Sequence, residues 1–186
     1  QAPLAQEVPA VLGQAAPGDD LVPVCAALFP AVGAGPVPVG GQGEAGQGGP
    51  VLGCPEVRCF SQPADGRLSS RFGLRRIFNG EPRAPHSGLD IAVPRGAPII
   101  SAAAGHVLTV DDYFFNGKTV FVDHGNGLLS MYCHLDRIDV KPGDTLRKSQ
   151  RLGLAGATGR ASGPHLHWSV VLNGAMVDPE LFLQRR

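Results

Sequence analysis

Lys118–Leu135 reads KTVFVDHGNGLLSMYCHL. Two runs rich in β-branched and apolar residues flank Asn126–Gly127, a pair favoured in tight reversing turns. The stretch predicts a β-hairpin and, with it, antiparallel pairing. Working outward, the texture persists from about Phe60. RLSSRFG, APIISAAAGHVLTVDDYF, DTL, RLGLAG and HLHWSVVLN alternate with turns built from Asn, Asp, Gly and Pro: FNGK, HGNG, KPGD, SGP and LNGA. The one late helical candidate is DPELFLQ, with Asp178 as N-cap and Pro179 at the first helical position. These runs predict an all-β domain over residues 60–186, antiparallel and closed as a sandwich or a collapsed barrel.

Residues 1–59 differ in composition. The first 50 hold ten glycines and eight prolines, four acidic residues (Glu7, Asp19, Asp20, Glu44) and no Lys, Arg or His. Such a stretch reads as a linker or loosely ordered tail, and Leu21–Val32 is its one apolar island. The rest of the chain carries 16 basic against 12 acidic residues, a balance of +4. With no basic run or basic helical face, nucleic acid is not an expected partner. No stretch approaches the 18 or so consecutive apolar residues of a membrane span. The start at Gln1 suggests a processed or clipped chain, with removal of a secretory signal as one cause.

The cysteines are Cys25, Cys54, Cys59 and Cys133. Cys54 and Cys59 bracket a short loop that an oxidising compartment would close as a disulfide, although four cysteines permit three full pairings. A cysteine zinc site is the weaker reading, because no second pair with ligand spacing accompanies the first.

Histidine spacing carries the chemistry. In PHSGLD, an extended strand would hold His86 and Asp90 roughly 13 Å apart at about 3.3 Å per residue, too far to share one ion. Pro85 and Gly88 disfavour a helix and favour a bend that brings them together. In PHLHW, His165 and His167 are two apart on a strand and share a face, with Leu166 and Trp168 opposite. The same parity in SMYCHL sets Tyr132 and His134 on one face, Met131 and Cys133 on the other. His86, Asp90, His134, His165 and His167 are therefore expected to line one groove. Isolated histidines in strands are more often structural, which is the reading of His106 and of His124, beside the Asn126–Gly127 turn. Cys133 reads as a small buried apolar residue.

From about residue 60 to 183 the chain resembles the lysostaphin/LytM-type zinc endopeptidases, which cleave peptide cross-bridges of bacterial peptidoglycan. The carrying stretches are SSRFGLR, HSGLDIAVPRGAPIISAAAGHV, VFVDHGNGLLSMYCHL, VKPGDTLRKSQRLGLAGATGRASGPHLHW and VDPELF. RRIFNGEPRAPHSGLD and DDYFFNGKTV look like Gram-negative periplasmic members. The resemblance implies one Zn²⁺ held by His86, Asp90 and His167, with His134 and His165 serving the chemistry, stem peptides or cross-bridges as substrate, and a periplasmic or envelope location. Three protein ligands leave a fourth tetrahedral position open, as in catalytic zinc sites. Tyr132 is a further candidate donor, and the D-alanyl–diaminopimelate bond is the suggested cross-link. The glycine-rich GATGRASGP loop and DDYFFNGK are expected to face one another across an extended substrate. Two rivals accompany this reading: a non-catalytic relative that activates a cell-wall amidase, and a biotinyl/lipoyl-type carrier prompted by VKPGDTLRKSQRLG, which lacks a Met-Lys-type acceptor.

Overall fold

The computed structural model describes residues 60–78 and 81–184. The expectations for residues 1–59, including the Cys54–Cys59 disulfide and the Leu21–Val32 island, lie outside the described residues.

Among the described residues, twelve strands follow in order: β1 Arg67–Ser70, β2 Arg76–Phe78, β3 Glu81–Arg83, β4 Leu89–Ala92, β5 Pro98–Ile100, β6 Gly105–Tyr113, β7 Gly117–Asp123, β8 Leu128–Ile138, β9 Thr145–Leu146, β10 Arg151–Ala155, β11 His165–Leu172 and β12 Ala175–Val177. Every strand pair is antiparallel. The main sheet runs β1-β4-β11-β8-β7-β6-β9; β10 joins it at β8 and carries β5, and β12 pairs with β11. Strands β2 and β3 form a separate hairpin. The predicted helix is one 3-10 turn, Pro179–Leu181, whose N-cap Asp178 accepts the Glu180 N–H at 3.0 Å.

The quoted hairpin forms as read. His124 N–H donates to Leu128 O at 2.9 Å, and Leu128 N–H donates to Gly125 O at 3.0 Å. Between them Asn126 and Gly127 have φ of 54° and 73°, the two positive values that a type I′ turn requires.

Period-two alternation sorts the central strands onto two cores. Leu89, Ile91, Val120, Val122, Tyr132, Leu166, Trp168 and Val170 enter the larger one, where Ile99, Leu152 and Ala155 from β5 and β10 close over them as a second layer. Phe121, Leu129, Met131, Cys133 and Val171 pack on the opposite face. A buried polar chain crosses the larger core. His124 Nδ1 donates to Ala104 O at 2.7 Å, and His124 Nε2 lies 2.7 Å from Ser130 Oγ, which is 3.0 Å from the Tyr132 hydroxyl. Ala102 N–H donates to that hydroxyl at 2.9 Å. Burial lowers the His124 pKa, so the ring is neutral and ties the end of β7 to β8. His106 stays on the surface, 3.1 Å from Thr145 Oγ1. His124 is thus held within the fold, as the structural reading expects.

Candidate metal centre

Three strands assemble the site. Asp90 on β4 stands opposite His167 on β11, and His167 stands opposite Cys133 on β8. Residues directly opposite in an antiparallel ladder share a face, so Asp90 Oδ1 meets His167 Nδ1 at 2.8 Å. His86 arrives from the loop before β4. The chain bends at Gly88, where an added Cβ would lie 2.5 Å from both Ser169 Oγ and Trp168 O and 3.0 Å from His167 Cε1. Only a glycine lets the loop lie this close to β11, and the bend brings His86 Nε2 to 3.1 Å from both Asp90 Oδ1 and His167 Nδ1.

The donor set is that of a metal site. His86 Nδ1 lies 2.8 Å from Arg71 O, which only accepts, so this nitrogen carries the hydrogen and Nε2 presents a lone pair. Ser70 Oγ sits 3.1 Å from the same Nδ1. His167 Nε2 lies 3.0 Å from Ser169 Oγ, which leaves Nδ1 to face inward. Holding an imidazole through its outer nitrogen is how ligating histidines are oriented. Three acceptor atoms converge in a half-dry pocket: His86 and His167 are buried and Asp90 is partly exposed. Among the described residues, this is the group whose ligand atoms all lie within 4.8 Å of one another. A divalent cation satisfies all three at once, and two imidazoles with one carboxylate is a donor set that suits zinc and leaves a position open. Burial raises the Asp90 pKa, but His167 and His86 set against the carboxylate outweigh it and hold the carboxyl well below its usual range. Burial likewise pushes His167 down, against the attraction of Asp90.

His134 and His165 flank this triad. Their ring centroids lie 4.7 Å apart with the planes tilted by 47°, and the His134 ring is 6.1 Å from that of His167. Each is tied by Nδ1–H to a carbonyl, His134 to Thr158 O at 2.9 Å and His165 to Gly163 O at 2.8 Å. Nε2 is thereby left as the lone-pair nitrogen in both, and that of His165 lies 3.9 Å from Asp90 Oδ1. Burial, aided by the neighbouring His165 and His167, pushes the His134 pKa down to about 4. At neutral pH it is an uncharged base.

Strand parity misplaces two neighbours. Lys118 pairs with Leu135 and Val120 with Tyr132, so β8 spends one more residue than β7 across this interval. The extra residue is a bulge at Cys133–His134, with His134 at φ 62°. It turns His134 to the face of Cys133 and returns Leu135 to that of Tyr132. Tyr132 is fully buried in the larger core with its hydroxyl on Ala102 N–H, away from the site. Cys133 is buried as expected, but on the site's side of the sheet.

The expected groove walls also change. Arg160 N–H donates to Phe115 O at 2.9 Å, and a Cβ on Gly159 would lie 2.2 Å from Gly117 N. The loop before His165 and the turn at Phe114–Asn116 are therefore one continuous wall, with no room for a peptide between them. His86 itself is backed by Gly73 and Leu74, which exchange backbone hydrogen bonds with it. The positioning groups that the sequence reading passed over are Ser70, Thr158 and Ser169. Of these, Ser169 was legible, since it lies two residues past His167 on the same strand face.

Known proteins resemble this chain in sequence and in fold. The model of Peptidase family M23 matches residues 84–179. Peptidoglycan DD-endopeptidase ShyA of Vibrio cholerae is 40% identical over 113 residues, covering 60% of this chain and 26% of ShyA. This chain spans about a quarter of the length of the curated relatives it matches. A crystal structure of a putative M23 peptidase from Pseudomonas aeruginosa superposes with TM-score 0.60 and 54% identity, covering 67% of this chain and 50% of that one. A zinc-containing peptidase from Vibrio cholerae does so with TM-score 0.62 and 37% identity, covering 65% and 39%. From the residues matched and the two-histidine, one-aspartate cluster within them, the chain belongs to Peptidase family M23.

Proposed function

We propose that the chain is a zinc-dependent endopeptidase that hydrolyses peptide cross-links of peptidoglycan in the cell envelope, with residues 60–186 as the catalytic domain and residues 1–59 as an appended segment. One observation carries the reading. Three converging acceptors (His86 Nε2, Asp90 Oδ1 and His167 Nδ1) stand beside two imidazoles, His134 and His165, each tethered through Nδ1. A site that only stored a metal would have no use for the second pair.

When bound, zinc supplies Lewis-acid chemistry, acidifying water and polarising a carbonyl. The chain's own residues do the rest. His86, Asp90 and His167 hold the ion. His134 is neutral at pH 7 and its Nε2 is positioned to take a proton, while Thr158 O keeps the ring from turning. His165, held by Gly163 O, offers a second nitrogen that, once protonated, donates to a developing oxyanion or a leaving amine. The similarity to DD-endopeptidases supports the D-alanyl–diaminopimelate cross-link as the bond cleaved, and a periplasmic location. Among the described residues, no helix is long and apolar enough to cross a membrane.

The test is digestion of purified sacculi by the full chain carrying one zinc. Cross-linked muropeptide dimers are expected to fall and the corresponding monomers to rise, and chelation should abolish the change. Dimers that persist with zinc bound, or cleavage indifferent to chelator, would overturn the proposal.

A further inference from the structure

Past the bulge at Cys133–His134, β7 and β8 rejoin at the rung where Lys118 stands opposite Leu135. A side chain from a third segment links them there. Lys118 N–H donates to Thr158 Oγ1 at 3.0 Å, and the Thr158 hydroxyl donates to Leu135 O at 2.8 Å. The hydroxyl thus spends its one hydrogen and a lone pair on backbone groups of two strands. In a β-branched residue χ1 is already restricted, so pinning Oγ1 pins the residue's own backbone as well. That backbone carries the carbonyl that accepts His134 Nδ1–H at 2.9 Å. Packing closes the same joint. A Cβ on Gly117 would lie 2.3 Å from both the Thr158 carbonyl carbon and Thr158 Oγ1. On the strand side, His134 N–H donates to Asn116 O at 2.8 Å, so the backbone that bears the imidazole is anchored too.

We infer that the Thr158 hydroxyl is a positioning group for the reaction, fixing the carbonyl that keeps His134 in its Nδ1–H form with the lone pair on Nε2. The inference rests on the proposed hydrolysis and deepens it. A neutral imidazole has two tautomers, and the one present is set by the bond that its other nitrogen makes. Thr158 O only accepts, so while it stays in place the proton stays on Nδ1. Valine has nearly the shape of threonine, but it offers Lys118 N–H and Leu135 O nothing. With those two ties gone, the carbonyl shifts, Nδ1 loses its acceptor and the proton moves onto Nε2, the nitrogen that must be empty to take one. Thr158 does this without meeting the substrate; it acts through His134.

Proton–nitrogen correlation spectra of the histidine rings in the zinc-loaded full chain read the tautomer, with His134→Asn identifying the signal. Wild type should show His134 as Nδ1–H. Thr158→Val and the smaller Thr158→Ala should bring in the Nε2–H form. Both should also lower kcat on a cross-linked stem peptide about 10–100-fold, the range for two lost hydrogen bonds. KM and zinc content should stay near wild type, and Thr158→Ser should restore both tautomer and rate. A residue that merely supported the fold would instead lower the zinc-loaded fraction and leave the tautomer alone. Wild-type His134 in the Nε2–H form would overturn the assignment and leave the proposed function standing. So would a tautomer or a kcat that stays at the wild-type value in both Thr158→Val and Thr158→Ala, or a loss that Thr158→Ser fails to repair. The tautomer shift in a chain whose wild type cleaves no cross-link would overturn the proposed function and leave the tether standing.

Discussion

Asp90→Ala is expected to remove zinc binding and hydrolysis in one step. Asp90 Oδ1 is the vertex that His86 and His167 both approach, and it supplies the negative charge among the three ligand atoms. Without it, two neutral imidazoles must hold a dication in a pocket that is buried on the histidine side. Losing an outer partner of a ligand typically costs about 10–100-fold in metal affinity, so losing a ligand outright should exceed that. The fold itself should persist, because Asp90 is on the face turned away from the larger core, while its β4 neighbours Leu89 and Ile91 remain buried there. Metal analysis after gel filtration, circular dichroism and a dimer-cleavage assay check the three parts. Retained zinc at one equivalent would show that the ion is held elsewhere.

His134 and His165 should separate what Asp90 joins. Replacing either is expected to leave zinc near one equivalent and lower the turnover rate by about 10²–10⁴-fold, the usual contribution of a positioned acid, base or oxyanion donor. His165→Ala is the simple case, since its backbone is ordinary strand. At His134 the choice of residue matters, because φ is 62° and alanine is strained there. His134→Asn tolerates that conformation, so a rate loss shared by His134→Asn and His134→Ala reports the imidazole rather than the bulge. If His165→Ala loses zinc while His167→Ala keeps it, the roles within the H-x-H pair are exchanged. If neither His134 nor His165 alters the rate, the chemistry lies outside this cluster.

Much of this arrangement could be read in advance, for identifiable reasons. Asn126–Gly127 demanded its turn because few other pairs adopt two positive φ values cheaply, and the antiparallel fold followed from it. His165 and His167 could be placed together because strand parity is local. His86 and Asp90 could be joined because Gly88 signalled a bend, although its closeness to Ser169 and Trp168 is a fact of packing. His134 shows where local reasoning stops. Parity put it beside Tyr132, and a one-residue bulge against β7 moved it to the other face. A bulge arises from how two strands register, which no single run of residues reveals. The groove walls failed for the same reason. The contact of Gly159 with Gly117 joins residues 42 apart, and composition showed only that the loop before His165 is glycine-rich. The backing of His86 by the backbone of Gly73 and Leu74 is likewise a fact of packing.

The central claim is that two imidazoles and one carboxylate, and none of the four cysteines, hold one zinc ion. X-ray absorption at the zinc edge of the full chain tests it directly, because nitrogen and oxygen ligands scatter differently from sulfur. The expected spectrum has only nitrogen and oxygen neighbours at about 2.0–2.2 Å, with the outer-ring signature of two imidazoles. A shell at about 2.3 Å from a sulfur ligand would contradict it.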